Sequence, residues 1–187
     1  MAESTGICES AFRRYLGGDE GAVNEIMDEL FFKLVFFVDG YVHDIHSAED
    51  IAMDAMSDLF VRKHRYNFRV SLKTYVFMLG KSRALDFLRH RKAIQMTDLS
   101  EAEDLSDDRA ELENSVLRDE RSRELHAAIG RLPEQLREAV WLVYFEELSY
   151  DEAARVMKKN RKQIDNLLYR ARKELRTMLG GDDHEGY

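Results

Sequence analysis

The chain has 187 residues, of which 44% are hydrophobic and 34% charged, and its formal net charge is −8. This length accommodates one large or two small domains, and one proline and ten glycines provide little of the turn chemistry that a strand-rich fold requires. A single cysteine, Cys8, excludes an internal disulfide and indicates a reducing compartment. No stretch is long and apolar enough to span a membrane, and no signal-peptide pattern opens the chain, so we expect a cytoplasmic protein without membrane insertion.

Charge is segregated along the chain, which informs about binding partners more than about fold. The net charges are −10, +9, −8 and +4 over residues 1–59, 60–95, 96–120 and 121–180, respectively. Two basic blocks are therefore separated by an acidic block that has no clean apolar period. We predict an all-α protein made of two small helical domains, residues 8–95 and 119–180, joined by an acidic, flexible linker at 96–118.

Three helices are predicted in the first part of the chain. Residues 1–8 are expected to be frayed, and the first two helices to cover 10–16 and 21–42. The third helix begins at Ser47, with acids in its first turn where the helix dipole favours them, and runs to about Lys63. The side chains expected to face its core are Ile51, Ala52, Ala55, Leu59 and, at the edge, Met56.

An acidic stripe follows one side of this third helix, because Asp50, Asp54 and Asp58 recur every four residues. Three apolar side chains lie near the stripe, namely Met53, Met56 and Phe60. The stripe is either a solvated face or a docking surface for a basic partner. The neighbouring His43 and His46 would suggest a metal or acid–base site, but the further spaced ligands of such a site are not evident, so we expect no metal and no cofactor.

A basic and aromatic connector, HRYNFRVS at residues 64–71, leads into a helix predicted over 72–92. Basic residues interleaved with rings match what single-stranded nucleic acid needs, because cations neutralise phosphates and flat rings stack on unpaired bases. The rings concerned are those of Tyr66, Phe68, Tyr75 and Phe77. The alternative for Tyr75 and Phe77 is that they belong to the core.

The second domain is predicted to contain four helices. One of them opens with a proline, Pro133, at its first position. The side chains expected to pack this helix against the end of the chain are Leu136, Val140, Trp141, Val143 and Tyr144.

The last two helices carry their own start signals. Ser149 and Glu152 form an S-x-x-E capping box, and Asn160 and Gln163 form a similar pair after a tight turn. The last helix buries one stripe, made of Ile164, Leu168, Ala171 and Leu175. Its outer face is basic and carries an amide, as in the second helix of a helix-turn-helix DNA reader. The alternative is a helical hairpin with a solvated basic face, but small residues on the first helix favour a close, steep crossing.

Four stretches of this sequence resemble the extracytoplasmic-function (ECF) group of bacterial sigma factors, and the resemblance extends from about Gly21 to Leu179. They are AEDIAMDAMSDLF, SLKTYVFMLGKSRALDFLRHR, LPEQLREAVWLVYFEELSYDEAARVM and IDNLLYRARKEL. The first two resemble region two, which docks on core RNA polymerase and faces the melted −10 element, and the last two resemble region four, which reads the −35 element. The departures from the family pattern are Lys158, Asp165, Leu167, Tyr75 and Ser82.

The resemblance implies partners and sites. The partners are core RNA polymerase, promoter DNA and an anti-sigma factor. Contacts to the −35 element are expected from Arg161, Lys162, Asp165, Asn166, Tyr169, Arg170, Arg172 and Lys173. Contacts to the −10 element are expected from Tyr66, Asn67, Phe68, Arg69, Ser82, Arg83 and Arg89. Contacts to core polymerase are expected from Asp50, Met53, Asp54, Met56 and Phe60.

Two other classes of protein were weighed against a sigma factor. A helix-turn-helix regulator with a helical sensor domain would not need the basic block at residues 60–95. An enzyme is disfavoured because no constellation of catalytic residues is evident. The sequence therefore favours a sigma factor, which binds polymerase, reads two DNA elements and helps to melt the promoter without covalent chemistry.

Overall fold

The computed structural model describes residues 3–97 and 120–179, which contain helices and turns and no strand. The chain divides into two compact units, unit 1 within residues 1–106 and unit 2 within residues 107–187. The predicted all-α fold class is confirmed. From residue 98 onward, the predicted linker lies outside the described residues.

Unit 1 consists of four α-helices around one apolar core. They are α1 (Glu3–Leu16), α2 (Ala22–Val42), α3 (Ile45–Val61) and α4 (Leu72–Thr97), with a 3₁₀ turn at Lys63–Arg65. The central helix is α2, which packs against each of the other three helices. Gly80 of α4 allows a close approach to α2, since a Cβ at this position would lie 2.6 Å from Leu34 Cδ1.

Two helix starts in unit 1 differ from the prediction. The first helix begins at Glu3, before the predicted residue 10, because Cys8 and Phe12 are buried and hold its early turns against the rest of the unit. This burial raises the pKa of the Cys8 thiol to about 11. The third helix begins at Ile45, and its N-cap is Asp44, whose Oδ2 accepts from the backbone N–H of Ser47 at 3.2 Å.

Unit 2 is a second, smaller set of helices. They are α5 (Glu120–Gly130), α6 (Glu134–Val140), α7 (Tyr150–Met157) and α8 (Arg161–Met178). The predicted number of helices is confirmed for the described part of this unit. Pro133 is the extended N-cap of α6, with φ −50° and ψ 141°, and so lies one residue before the predicted position.

A π-helical turn at Trp141–Phe145 follows α6 and changes which side chains are buried. In this turn, the N–H of Glu146 donates to the carbonyl of Trp141, five residues earlier, at 3.0 Å. The extra residue rotates Tyr144 outward, so that 51% of it is exposed, whereas Leu142 is fully buried. The prediction that Tyr144 packs in the core was wrong for this reason, and those for Leu136 and Val140 are confirmed.

Candidate nucleic-acid interface

The turn between α7 and α8 is fixed by two reciprocal capping boxes. Ser149 Oγ accepts from the N–H of Glu152 at 3.3 Å, while the Glu152 carboxylate accepts from the N–H of Ser149 at 3.0 Å. At the start of α8, Asn160 Oδ1 accepts from the N–H of Gln163 at 2.9 Å, and Gln163 Oε1 accepts from the N–H of Asn160 at 2.8 Å. Both predicted caps are confirmed, and they set the direction in which α8 leaves the turn.

The turn itself is tight because one residue adopts a left-handed conformation. Lys158 has φ 53° and ψ 45°, and the next N–H, that of Lys159, donates to the carbonyl of Ala154 at 2.8 Å. The small side chains Ala153 and Ala154 are buried beneath α8, as predicted. The buried stripe of α8 consists of Ile164, Leu167, Leu168 and Ala171, which adds Leu167 to the prediction, and Leu175 is only partly buried.

The opposite face of α8 is open to solvent. Every residue predicted there is exposed: Arg161, Lys162, Asp165, Asn166, Tyr169, Arg170, Arg172 and Lys173. The Tyr169 ring is 64% exposed, so it is available for contact with a partner. Five of these eight residues are cations, so the face is suited to a polyanion.

Arg161, at the first position of α8, is oriented by α7. One guanidinium nitrogen lies 3.1 Å from Asp151 Oδ2, and Cζ lies 5.9 Å from the centre of the Tyr150 ring. Because this pair is exposed, it contributes about 0.2–1 kcal/mol at most. The effect of this ion pair is therefore to orient the Arg161 guanidinium. The other N–H groups of the guanidinium can still donate to a further acceptor.

In unit 1, the predicted single-strand residues lie on the α3–α4 connector (residues 62–71) and on α4. Tyr66 is only 4% exposed, and its hydroxyl donates to the carbonyl of Val70 at 2.7 Å. Its ring packs among other rings, with centroid distances of 5.3 Å to Phe12, 4.6 Å to Phe68 and 5.1 Å to Tyr75. We therefore correct the prediction for Tyr66, because a ring surrounded in this way supports the connector and has no face open to a base.

Burial also changes the acidity of the tyrosines beneath the connector. It raises the pKa of the Tyr66 phenol well above its usual range and that of Tyr75 in the same direction. The shift favours the neutral, protonated form of both phenols. Phe77 is fully buried, so the alternative placement in the core is correct for this ring, whereas Tyr75 is half-buried.

The other connector and α4 residues are more accessible. Asn67 is exposed, and its Oδ1 accepts from the backbone N–H of Arg69 at 3.1 Å, which stabilises the turn at residues 67–69. The side chain of Arg69 is exposed. Ser82 and Arg89 are exposed on α4. Phe68 is half-buried.

Arg83 is paired with carboxylates of another helix, whereas Arg89 pairs within α4, with Asp86 at 3.0 Å. The Arg83 guanidinium lies 2.9 Å from Asp58 Oδ2 and 3.7 Å from Asp54 Oδ2, both on α3. Asp58 also pairs with Arg62 at 3.0 Å. Two predicted surfaces, the acidic stripe of α3 and the basic face of α4, are therefore joined by ion pairs, and Asp58 belongs to that junction.

The predicted docking surface on α3 is partly formed by exposed side chains. Asp50 and Asp54 are exposed, and Met53 is 46% exposed. Met56, however, is only 1% exposed and belongs to the core, so we correct its assignment to the docking surface. Phe60 is half-buried, with its ring 5.4 Å from that of Tyr15.

One apolar residue near this surface was missed by the sequence reasoning. Val61, the last residue of α3, is 82% exposed, and its place near the face of Asp50 and Asp54 follows from the helical period.

Among residues 3–97 and 120–179, no group of three or more His, Cys, Asp or Glu residues could hold a metal ion. Within the same ranges, no helix has the length and hydropathy needed to cross a bilayer.

The α7–α8 geometry is that of a helix-turn-helix, and comparisons with known proteins show which family the chain resembles. The family model described as "Sigma-70, region 4" matches residues 122–175. The RNA polymerase sigma-H factor of Pseudomonas aeruginosa is 28% identical over 174 residues, which cover 87% of this chain and 88% of that protein. The ECF RNA polymerase sigma factor SigM of Bacillus subtilis is 26% identical over 140 residues, covering 72% of this chain and 81% of that protein.

A solved structure has a similar fold. It is the sigma factor RpoE in complex with the anti-sigma factor NepR from Bartonella quintana, which matches with a TM-score of 0.66 and 19% identity, over 85% of this chain and 97% of that one. The family model and these relatives support the ECF group of the sigma-70 family. The resemblance found in the sequence is thereby confirmed.

Proposed function

We propose that this protein is a promoter-specific sigma factor, which binds core RNA polymerase, reads the −35 and −10 elements and helps to open the promoter. The observation that carries the proposal is the exposed basic face of α8, fixed by two capping boxes within a unit that matches sigma region 4. The function consists of binding, and its place is the cytoplasm, where polymerase and DNA are found. The solved RpoE structure contains an anti-sigma factor, and we propose that this protein also has one.

In unit 2, we propose a division of labour along α8. The first turns of such a helix enter the major groove, and Arg161, Lys162, Asp165 and Asn166 occupy those turns. An arginine can pair bidentately with guanine and an asparagine with adenine, and each such pair discriminates by about 1–3 kcal/mol. Contacts to phosphates are proposed for Tyr169 and for the later cations of α8, namely Arg170, Arg172 and Lys173.

In unit 1, we propose that the connector and α4 hold the displaced strand of the −10 element. The accessible groups with suitable chemistry are Asn67, Phe68, Arg69, Ser82 and Arg89. Tyr66 contributes by supporting the connector. Arg83 contributes less than an unpaired arginine would, because two α3 carboxylates already neutralise its charge.

For docking on core polymerase, we propose the exposed face of α3 formed by Asp50, Met53 and Asp54, with Phe60 at its edge. A surface that combines carboxylates with an exposed thioether suits a basic partner that also offers apolar contacts. Two reading units on one chain fit the physical task, because linkage raises the effective concentration of the second DNA contact once the first is made.

The reading of DNA by α8 can be tested by selecting −35 sequences from a randomised duplex pool. We expect Arg161→Ala and Asn166→Ala to lose preference at particular positions. Arg172→Ala and Lys173→Ala, the matched controls, should keep the consensus but bind all sequences more weakly, with a salt slope reduced by about 0.9 per lost phosphate contact. An unchanged consensus for both Arg161→Ala and Asn166→Ala would show that α8 does not read bases in this way.

The docking surface can be tested by co-purification with core polymerase. Asp50→Lys combined with Asp54→Lys should abolish capture while leaving the helical circular dichroism intact. Glu49→Lys is the control for each single reversal, since it makes the charge change of one such substitution on α3 about 100° around the helix from Asp50. Undiminished capture of the double variant would remove this face from the interface.

A further inference from the structure

The first helix of unit 1 is attached at several points to the α3–α4 connector. Glu9 Oε1 accepts from the backbone N–H that opens α4, at 2.5 Å. Phe12 is fully buried, with its ring 5.3 Å from that of Tyr66. Just before the connector, in the last turn of α3, the carbonyl of Phe60 accepts from the Tyr15 hydroxyl at 3.1 Å. The shape of the connector therefore depends on α1 as well as on the helices it joins.

At the centre of these contacts is Phe68, whose backbone has φ 60°. This left-handed conformation is an outlier for a bulky side chain, and such strain persists only where surrounding contacts impose it. One of those contacts comes from α1, since Arg13 Cζ lies 4.2 Å from the centre of the Phe68 ring.

Arg13 also differs from its neighbour Arg14 in its ion pairs. Arg14 is paired with Asp19 at 3.1 Å and with Glu25 at 2.5 Å. Among the described residues, no carboxylate lies within ion-pair distance of Arg13, and its side chain is exposed. The residue that follows Phe68 is Arg69, which is also exposed, so α1 adds a cation to the basic surface of the connector.

We propose that Arg13 is a DNA-contacting residue, whose guanidinium, held over Phe68, binds a backbone phosphate of the single strand on the connector. This inference rests on the proposed function of the connector. A guanidinium offers several donors in a plane and suits a phosphate well. Because the ring already restricts this side chain, less rotamer freedom is lost when the phosphate binds.

The test uses the full-length protein bound to core polymerase and a fluorescent strand of about 12 thymidine nucleotides, with affinity followed by anisotropy over a range of salt concentrations. Arg13→Gln should weaken binding about three- to tenfold at low salt, since the site is open to water. It should also reduce the salt slope by about 0.7, the value for one phosphate contact on a single strand. Arg13→Lys should restore the slope, and Arg14→Gln, the matched control, should leave it unchanged.

Two further results separate the possible failures. If Arg13→Gln lowers the melting temperature but leaves the salt slope unchanged, then Arg13 only holds Phe68 in place and the inference is overturned. Arg69→Ala tests the connector itself. If Arg69→Ala reduces the salt slope and Arg13→Gln does not, the inference about Arg13 is refuted and the proposed function of the connector stands. If neither variant changes the salt slope, the result counts against both the inference and that proposed function.

Discussion

Tyr66 offers the sharpest separation of a structural role from a DNA-binding role in unit 1. Tyr66→Ala removes a ring that is almost fully buried and packs against three other aromatic rings. Truncating a buried aromatic residue to alanine typically costs about 3–5 kcal/mol. For a domain of this size, 1 kcal/mol corresponds to about 4–8 °C, so we expect the melting temperature of unit 1 to fall by at least about 12 °C.

Tyr66→Phe separates the two contributions of this side chain. It keeps the ring and removes only the hydrogen bond to the carbonyl of Val70, so we expect a loss of about 0.5–1.5 kcal/mol. Thermal and urea unfolding followed by circular dichroism measure both variants. The single tryptophan, Trp141, lies in unit 2, and its fluorescence is an internal control that should not change. A fall of less than about 2 °C for Tyr66→Ala would refute the reasoning, because the ring would then not support the connector.

Three further substitutions test the packing and the helix ends by the same unfolding measurements. Gly80→Ala should destabilise unit 1 by about 1 kcal/mol despite the better helix propensity of alanine, because the new Cβ would lie 2.6 Å from Leu34 Cδ1; a more stable variant would contradict this packing. Asp44→Ala should cost about 0.5–2 kcal/mol at neutral pH. Hydrogen bonds from Ser47 hold the pKa of Asp44 below its usual value, so the charged cap stabilises the folded protein fully above about pH 3.9. The difference in stability between the unaltered protein and Asp44→Ala should therefore shrink as the pH falls below that value. A stability difference that does not depend on pH would contradict the cap. Lys158→Gly should stabilise unit 2 by about 0.5–1 kcal/mol, because glycine adopts φ 53° without strain, and a loss of stability would show that Lys158 makes a compensating contact.

The local features of the fold were predictable from sequence because they depend on residues a few positions apart. Both capping boxes of the helix-turn-helix are of this kind, as is the buried stripe that includes Ile164 and Leu168. The exposed face of α8 follows from the same helical period, so the predicted −35 residues lie on one surface.

The errors arose where distant segments or an irregular turn decide the outcome. Tyr66 is buried because α1, more than 40 residues earlier, packs its Phe12 ring against it, and no local pattern reveals such a contact. The pairing of Arg83 with Asp58 joins two helices whose charges were assigned to separate surfaces. Tyr144 was assigned to the core by a helical period that the π-helical turn interrupts.

The measurement that tests the sigma-factor function most directly is reconstituted transcription from a library of randomised promoters. Core RNA polymerase is supplied with or without the purified protein, and the start sites and upstream sequences of the transcripts are determined. We expect transcripts that depend on the added protein and whose templates share two separated elements, at the −35 and −10 positions. If the protein adds no specific transcripts to those of core polymerase alone, the proposed function is wrong, even if the protein binds DNA.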